Sequence, residues 1–306
     1  LGDRRASLLV YGGSGTGKTL DLATLPPEMT WVADIEKGME TVWSRGIPTP
    51  AEPIMTIDQL RSAHNAILNR GQRDALIDDQ RVKVDFKAIR FICVDGLTDL
   101  EGLFLGERVS CRKKSFATLQ EQGEVSQLMR HWIRLFKELT TRGYHVIFTA
   151  LEMLLDIEQN EKEKKTYIAP AVQQKAATKV PGYFSMVGRQ VIRPKSNERE
   201  ILFESDGTFV AKRRFPFIEP VEPPDLASIF RRVEQWKPNF PARSQPPEVN
   251  RLPDASGIEA QAKALGLNDQ DIANLMKEHA GNPKALKAVL DGLARKTAKA
   301  PGNGRR

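Results

Sequence analysis

Eight residues, Gly12-Gly13-Ser14-Gly15-Thr16-Gly17-Lys18-Thr19, constrain this chain more than any other feature. They fill every fixed position of the pattern G-x-x-x-x-G-K-[ST], directly after a short apolar run (residues 7–11) and before a helical pattern that stops at Pro26-Pro27. Glycines at this density let the main chain wrap so that successive N–H groups point inward, an arrangement that suits the oxygens of a phosphate. Lys18 adds a point charge for the outer phosphates of a nucleotide such as ATP, and the Thr19 hydroxyl suits Mg²⁺. A strand that feeds such a loop and then a helix calls for an α/β fold.

The pattern that follows agrees with this. Short apolar runs at residues 29–33, 53–57, 89–94 and 145–150 read as strands, and residues 58–69 and 124–141 carry helical spacing. The second helix is the clearest, with Val125, Leu128, Met129, Trp132, Leu135, Phe136 and Leu139 on one face and Gly143 beyond its end. Strands alternating with helices predict parallel strands joined by right-handed crossovers. Past residue 156 the runs become shorter and alternating, at 187–193, 200–204 and 208–212. Asp206-Gly207 predicts a hairpin between the last two, so these strands extend the sheet in antiparallel fashion.

Five prolines between 238 and 253 mark a linker, and residues 258–293 read as a small helical module broken at Leu267-Asn268 and Gly281-Asn282-Pro283. The predicted organisation is a core domain over residues 1–236, a Pro-rich linker over 237–256, the helical module over 257–294 and a basic, disordered tail over 295–306. The tail also explains the charge. Of the net +7 on 306 residues, nearly all lies in residues 284–306, where seven basic side chains face one acid, Asp291. The basic balance is therefore no argument that the main domain binds nucleic acid, and local clusters must carry that reading. No apolar stretch is long enough for a membrane span, the charged first residues argue against a secretory signal, and two cysteines form no disulfide scaffold, so a reducing cytosol is expected. The four histidines are scattered, with no cysteine at ligand spacing to make a zinc site.

Two sets of acids complete the chemistry. Phe91-Ile92-Cys93-Val94-Asp95 is an apolar strand ending in a carboxylate, and Asp95 is expected to stand behind a Mg²⁺ held at Thr19. Hydrolysis further needs a group that orients or deprotonates water. Asp34-Ile35-Glu36, at the end of the second strand, supplies Glu36 as the first choice. Asp34 and Glu36 share a side if the strand continues, so either can hold the water. A carboxylate pair capping the next turn is the alternative.

The order of these segments, with the long helix and the strand Val146-Ile147-Phe148 after them, resembles the RecA-like ATPase core over roughly residues 7–215. More closely, it is similar to phage-encoded RecA-like single-strand annealing proteins, a group described as AAA-type nucleotide-binding proteins. The resemblance implies a RecA-like P-loop NTPase core with a mainly parallel sheet, ATP and Mg²⁺ as cofactors, and Lys18, Glu36 and Asp95 as catalytic residues. It implies two loops that bind single-stranded DNA. One holds Arg112, Lys113, Lys114 and Phe116, the other Lys162, Lys164, Lys165 and Tyr167, where cations can meet phosphates and rings can stack on unpaired bases. A solvated surface loop is the plain alternative for both, the more so in the second, where Glu158, Glu161 and Glu163 offset the lysines.

The same resemblance implies a homo-oligomer, ring or filament, in which Lys175 or Lys179 acts on a neighbour's nucleotide. It adds a single-stranded DNA-binding protein as a further partner and the bacterial cytoplasm as location. The chain departs from the family where a Gln or His sensor is usual: here the stretch reads Thr149-Ala150-Leu151-Glu152. Two other functions fit the phosphate loop: a nucleotide-controlled assembly or packaging ATPase, and a P-loop small-molecule kinase, for which the expected arginine-rich lid is missing.

Overall fold

The computed structural model describes residues 4–111, 118–160, 163–172, 177, 179–237, 262–278 and 289–290. The chain forms two compact units, Leu1–Lys237 and Pro238–Arg306. In the first, the strands are β1 (Ser7–Gly12), β2 (Thr30–Asp34), β3 (Ala51–Pro53), β4 (Gln72–Ile77), β5 (Gln80–Asp85), β6 (Phe91–Asp95), β7 (His145–Asn160), β8 (Glu163–Pro170), β9 (Met186–Ile192), β10 (Arg199–Leu202), β11 (Lys212–Arg213) and β12 (Val221–Glu222). The helices are α1 (Lys18–Leu22), α2 (Glu40–Trp43), α3 (Ile57–Leu68), α4 (Leu97–Cys111), α5 (Leu119–Glu138) and α6 (Leu226–Gln235).

The strand order is β12-β10-β9-β1-β7-β6-β2-β3-β4-β5, with β8 paired to β7 and β11 to β9. The strands β9, β1, β7, β6, β2 and β3 run parallel, and antiparallel strands extend both sides. Alternation along β1 divides the core. Leu9 and Tyr11 face α3, α4 and α5, whereas Leu8 and Val10 face α1, α2 and α6. The position of β7 matters most for function: it lies between the strand that carries the phosphate loop and the strand that ends in Asp95. Register sets Gly12 beside Leu151 and Asp34 beside Asp95, so the ends of β1, β2 and β6 share one edge of the sheet with residues 149–152.

Several elements differ from the sequence expectation. The strand read at 53–57 lies earlier, as β3 over Ala51–Pro53, because Thr56 starts a helix: its hydroxyl accepts from Gln59 N while the Gln59 side chain accepts from Thr56 N. The same device, Thr118 with Glu121, starts α5 five residues before the apolar stripe implies. Residues 72–85 form an unforeseen hairpin turning at Asp78 and Asp79, both at positive φ (47° and 64°). Its strands are largely polar, so hydrophobic period gave no signal. The helix α4 is unforeseen too.

The strand β7 does not stop at Ala150 but runs on to Asn160 as a hairpin with β8, across the segment read as the second DNA-binding loop. The run at 187–193, expected to be antiparallel, is β9 and pairs β1 in parallel, and Asp206-Gly207 does not join two strands as a hairpin. Both β10 and β11 pair along β9, at opposite ends of it, and the turn belongs to the excursion between them. In the second unit, α7 (Asp269–Glu278) starts at Asn268, whose side chain accepts from Asp271 N, and Ala262, Ile272 and Leu290 are buried. Linker and tail lie outside the described residues.

Gly188, on β9, supports the close packing of the antiparallel extension. A Cβ there would collide with Ile201 Cγ2 and come within 3.0 Å of the buried Phe203 ring. Overpacking of this kind costs about 1–3 kcal/mol. Gly188→Ala should therefore lower the melting temperature by roughly 3–10 °C, read by calorimetry.

Candidate functional site

The loop after β1 is built from left-handed glycines and braced from β9. Gly15 (φ 77°) and Gly17 (φ 91°) take conformations that L side chains rarely adopt. A Cβ at Gly12 would strike the Gln190 carbonyl oxygen, and the Gln190 side chain in turn donates to Thr16 O at 3.1 Å. Lys18 is buried, with Nζ donating to Gly12 O (3.2 Å) and Gly13 O (2.9 Å). Burial lowers its pKa, opposed by Glu36, Asp95, Glu152 and Asp21. An anionic ligand would relieve that cost, since the ammonium here meets only neutral carbonyls.

Asp95 is fully buried and held from both sides. Its Oδ2 accepts from Thr19 Oγ1 at 2.8 Å and its Oδ1 from Thr149 Oγ1 at 2.5 Å. The Thr149 hydroxyl also accepts from Gly96 N at 2.9 Å. Desolvation pushes the carboxyl up to about 6, against the two threonine hydrogen bonds. Of the four residues at the expected sensor position, Thr149 is the one hydrogen-bonded to the Asp95 carboxylate.

The two acids after β2 have separate places. Asp34 is buried and accepts from Gly38 N at 3.0 Å, capping the turn. Glu36 is exposed, its amide bound to Asp95 O at 3.2 Å next to the Ile35 amide at 3.0 Å. Crowding by protein atoms raises the pKa of Glu36, Asp95 and Asp99 raise it further, and Lys18 opposes them. Gly38 closes the turn onto the site: a Cβ there would lie 2.9 Å from Thr19 Oγ1 and 3.2 Å from Asp95 Oδ2. The structure thus gathers Lys18, Thr19, Glu36 and Asp95 at one edge of the sheet, an all-oxygen surround with one ammonium that fits a magnesium–triphosphate.

Two arginines were not singled out from sequence. Arg199, at the start of β10, donates to Gly17 O (3.2 Å) and to Asp21 Oδ1 (2.6 Å). Burial lifts Asp21 to about 7, with Arg199 opposing. Arg189 Nε donates to Glu152 Oε2 at 2.9 Å beside Gly13. No local motif marks either residue, because Arg189 on β9 and Arg199 on β10 are brought here by strand pairing.

Of the proposed DNA contacts, Arg112, Lys113, Lys114, Phe116 and Lys162 lie outside the described residues, as does Lys175. Lys164 and Lys165 are on β8, opposite Glu158 and Ile157 in register, and Tyr167 is half-buried opposite Leu155. Lys179 is exposed before the 3₁₀ turn Val180–Tyr183. The chain then reaches Ser185, whose amide donates to Ser7 O at 3.0 Å at the start of β1.

A family model described as an AAA domain matches residues 4–215, which take in β1 to β11 and the loop after β1. No curated protein matches the chain. Among the described residues no helix is long and apolar enough to cross a membrane.

Because the folded-state pKa of Asp95 lies above its ordinary value of 3.8, the folded protein holds more protons than the unfolded chain between about pH 4 and 6. The associated stability is present below that window and lost as pH rises through 6, in total about 3 kcal/mol. Asp95→Asn should flatten this slope in urea denaturation run without nucleotide. The same variant should lose the extra stabilisation that Mg²⁺ adds to nucleotide.

Proposed function

The chain belongs to the AAA-domain family of P-loop ATPases, and on that premise we propose that it hydrolyses Mg-ATP and couples hydrolysis to single-stranded DNA, promoting annealing or strand exchange as a homo-oligomer. The observation that carries the ATPase reading is the Thr19–Asp95 hydrogen bond at 2.8 Å, with Glu36 anchored through its amide to the Asp95 carbonyl. Mg²⁺, when bound, neutralises charge on the outer phosphates. Thr19 and Asp95 are the residues that would hold it.

The protein's own groups divide the remaining work. Lys18 exchanges carbonyl partners for phosphate oxygens and meets the charge that grows there. Glu36, its carboxyl shifted upward and open to solvent, orients or deprotonates the attacking water. Thr149 fixes the Asp95 carboxylate through a hydrogen bond to each side of the β6 end.

Support for the nucleic-acid part is topological. The strand that carries Thr149 continues without interruption into the β7–β8 hairpin, which bears Lys164, Lys165 and Tyr167. A ligand on that hairpin would be mechanically joined to the nucleotide site. The basic cluster Arg112-Lys113-Lys114 follows α4, whose start is adjacent to Asp95.

Lys18→Ala should abolish nucleotide binding or turnover, whereas Glu36→Gln should keep binding and lower turnover on the order of a hundredfold or more, measured by phosphate release. Unchanged turnover in Glu36→Gln would move the base elsewhere. Single-stranded DNA should raise the wild-type rate. Replacing Arg112, Lys113 and Lys114 together by alanine should weaken strand binding and reduce its log–log salt slope by about 2. Absence of strand binding at low salt would remove the recombination role and leave the ATPase standing.

A further inference from the structure

Glu152 is out of place in a phosphate site. Its Oε1 lies 3.6 Å from the point where a side chain on Gly13 would begin, and its charge acts on Lys18. Triphosphate oxygens drawn to Lys18 and to the loop amides would therefore meet a carboxylate at close range, which is repulsive. Its charge is met by Arg189, which reaches over from β9, where it stands beside Tyr11 of β1. Among the described residues only the Nε of Arg189 is hydrogen-bonded, and the guanidinium carbon rests 5.6 Å from the Phe209 ring centre. The remaining four N–H donors of its planar fork have the geometry that phosphate oxygens take.

Glu152 also occupies a junction. Leu151 is the last residue of β7 in register with β1, at Gly12, and Glu152 is the first in register with β8, at Pro170. The carboxylate that faces the loop is thus the residue at which β7 leaves the central sheet for its hairpin.

We propose that Arg189 distinguishes a nucleoside triphosphate from a diphosphate: with a terminal phosphate against Gly13 and Lys18, its guanidinium turns from Glu152 to the phosphate oxygens, and the released Glu152 resets the base of the β7–β8 hairpin. The inference rests on the ATPase reading. It gives that reading a means by which the state of the nucleotide reaches the hairpin. No bond is made or broken; a charge-assisted hydrogen bond changes acceptor.

The test compares ADP with a non-hydrolysable ATP analogue by calorimetry, in the presence of Mg²⁺. Arg189→Ala should reduce the preference for triphosphate over diphosphate about tenfold, within the usual range of site coupling, while ADP affinity stays within about twofold. Glu152→Gln keeps the hydrogen-bond acceptor but removes the charge, and should strengthen the analogue relative to ADP. In the wild type, hydrogen exchange at the amides of Met153–Leu155 should respond to the analogue and not to ADP. That difference should vanish in Arg189→Ala.

An equal loss for both ligands in Arg189→Ala, or a weaker analogue in Glu152→Gln, would reduce the pair to a structural brace and overturn the proposal. Exchange that is the same with either ligand in the wild type would overturn the link to the hairpin. If Arg189→Ala does not fold, as judged by its melting curve, Glu152→Gln decides alone. Failure of the wild type to bind either nucleotide would instead refute the ATPase reading itself.

Discussion

A fully buried carboxylate held by two threonines is the interaction on which the site depends. Asp95 closes a chain from Thr19, at the start of α1, through its own two oxygens to Thr149 and on to Gly96 N. Burial of an acid is costly unless its lone pairs are engaged, and here three separate elements are drawn together to engage them. The turn after β2 is then fixed by the same residue through its carbonyl, which receives the Ile35 and Glu36 amides. One residue thus places both the hydroxyl that suits a metal and the acid that suits a water.

This arrangement requires β7 to lie between β1 and β6. Neighbouring strands are about 4.8 Å apart, and across β7, whose Thr149 holds one carboxylate oxygen of Asp95, the other oxygen accepts from Thr19. The continuation of β7 into a hairpin then means that the strand nearest the chemistry is also the one that extends farthest from the sheet.

What could be read in the sequence was what is local in the chain. Gly12–Thr19 declares itself by spacing, and Asp95 by following four apolar residues. The roles of Asp34 and Glu36 stayed open because strand alternation places them on one side, while the structure ends β2 at Asp34 and lets Lys37 take a positive φ of 60°. That turn has no glycine at the strained position, so nothing announced it. The hairpin of β4 and β5 and the outer half of β7 escaped because their polar and apolar residues do not alternate cleanly. Gln190 and Arg199 were invisible for a different reason: they meet the loop from more than 170 positions away, and only sheet order makes them neighbours.

Gln190 and Arg199 change the meaning of the strands beyond β1, the parallel β9 and the antiparallel β10. A glycine-rich loop loses much conformational freedom when it closes on a ligand, and whatever holds it beforehand lowers that cost. Here Gln190 fastens Thr16, Arg199 fastens Gly17 and Asp21, and the Gln190 carbonyl leaves no room for a Cβ at Gly12. At the foot of the same helix, Thr24 Oγ1 accepts from Leu226 N at 3.0 Å, so α6 secures the other end. The strands that look like a mere widening of the sheet are the wall against which the phosphate loop is preformed, which is why the buried Asp21 is tolerated: its arginine partner is the same group that grips the loop.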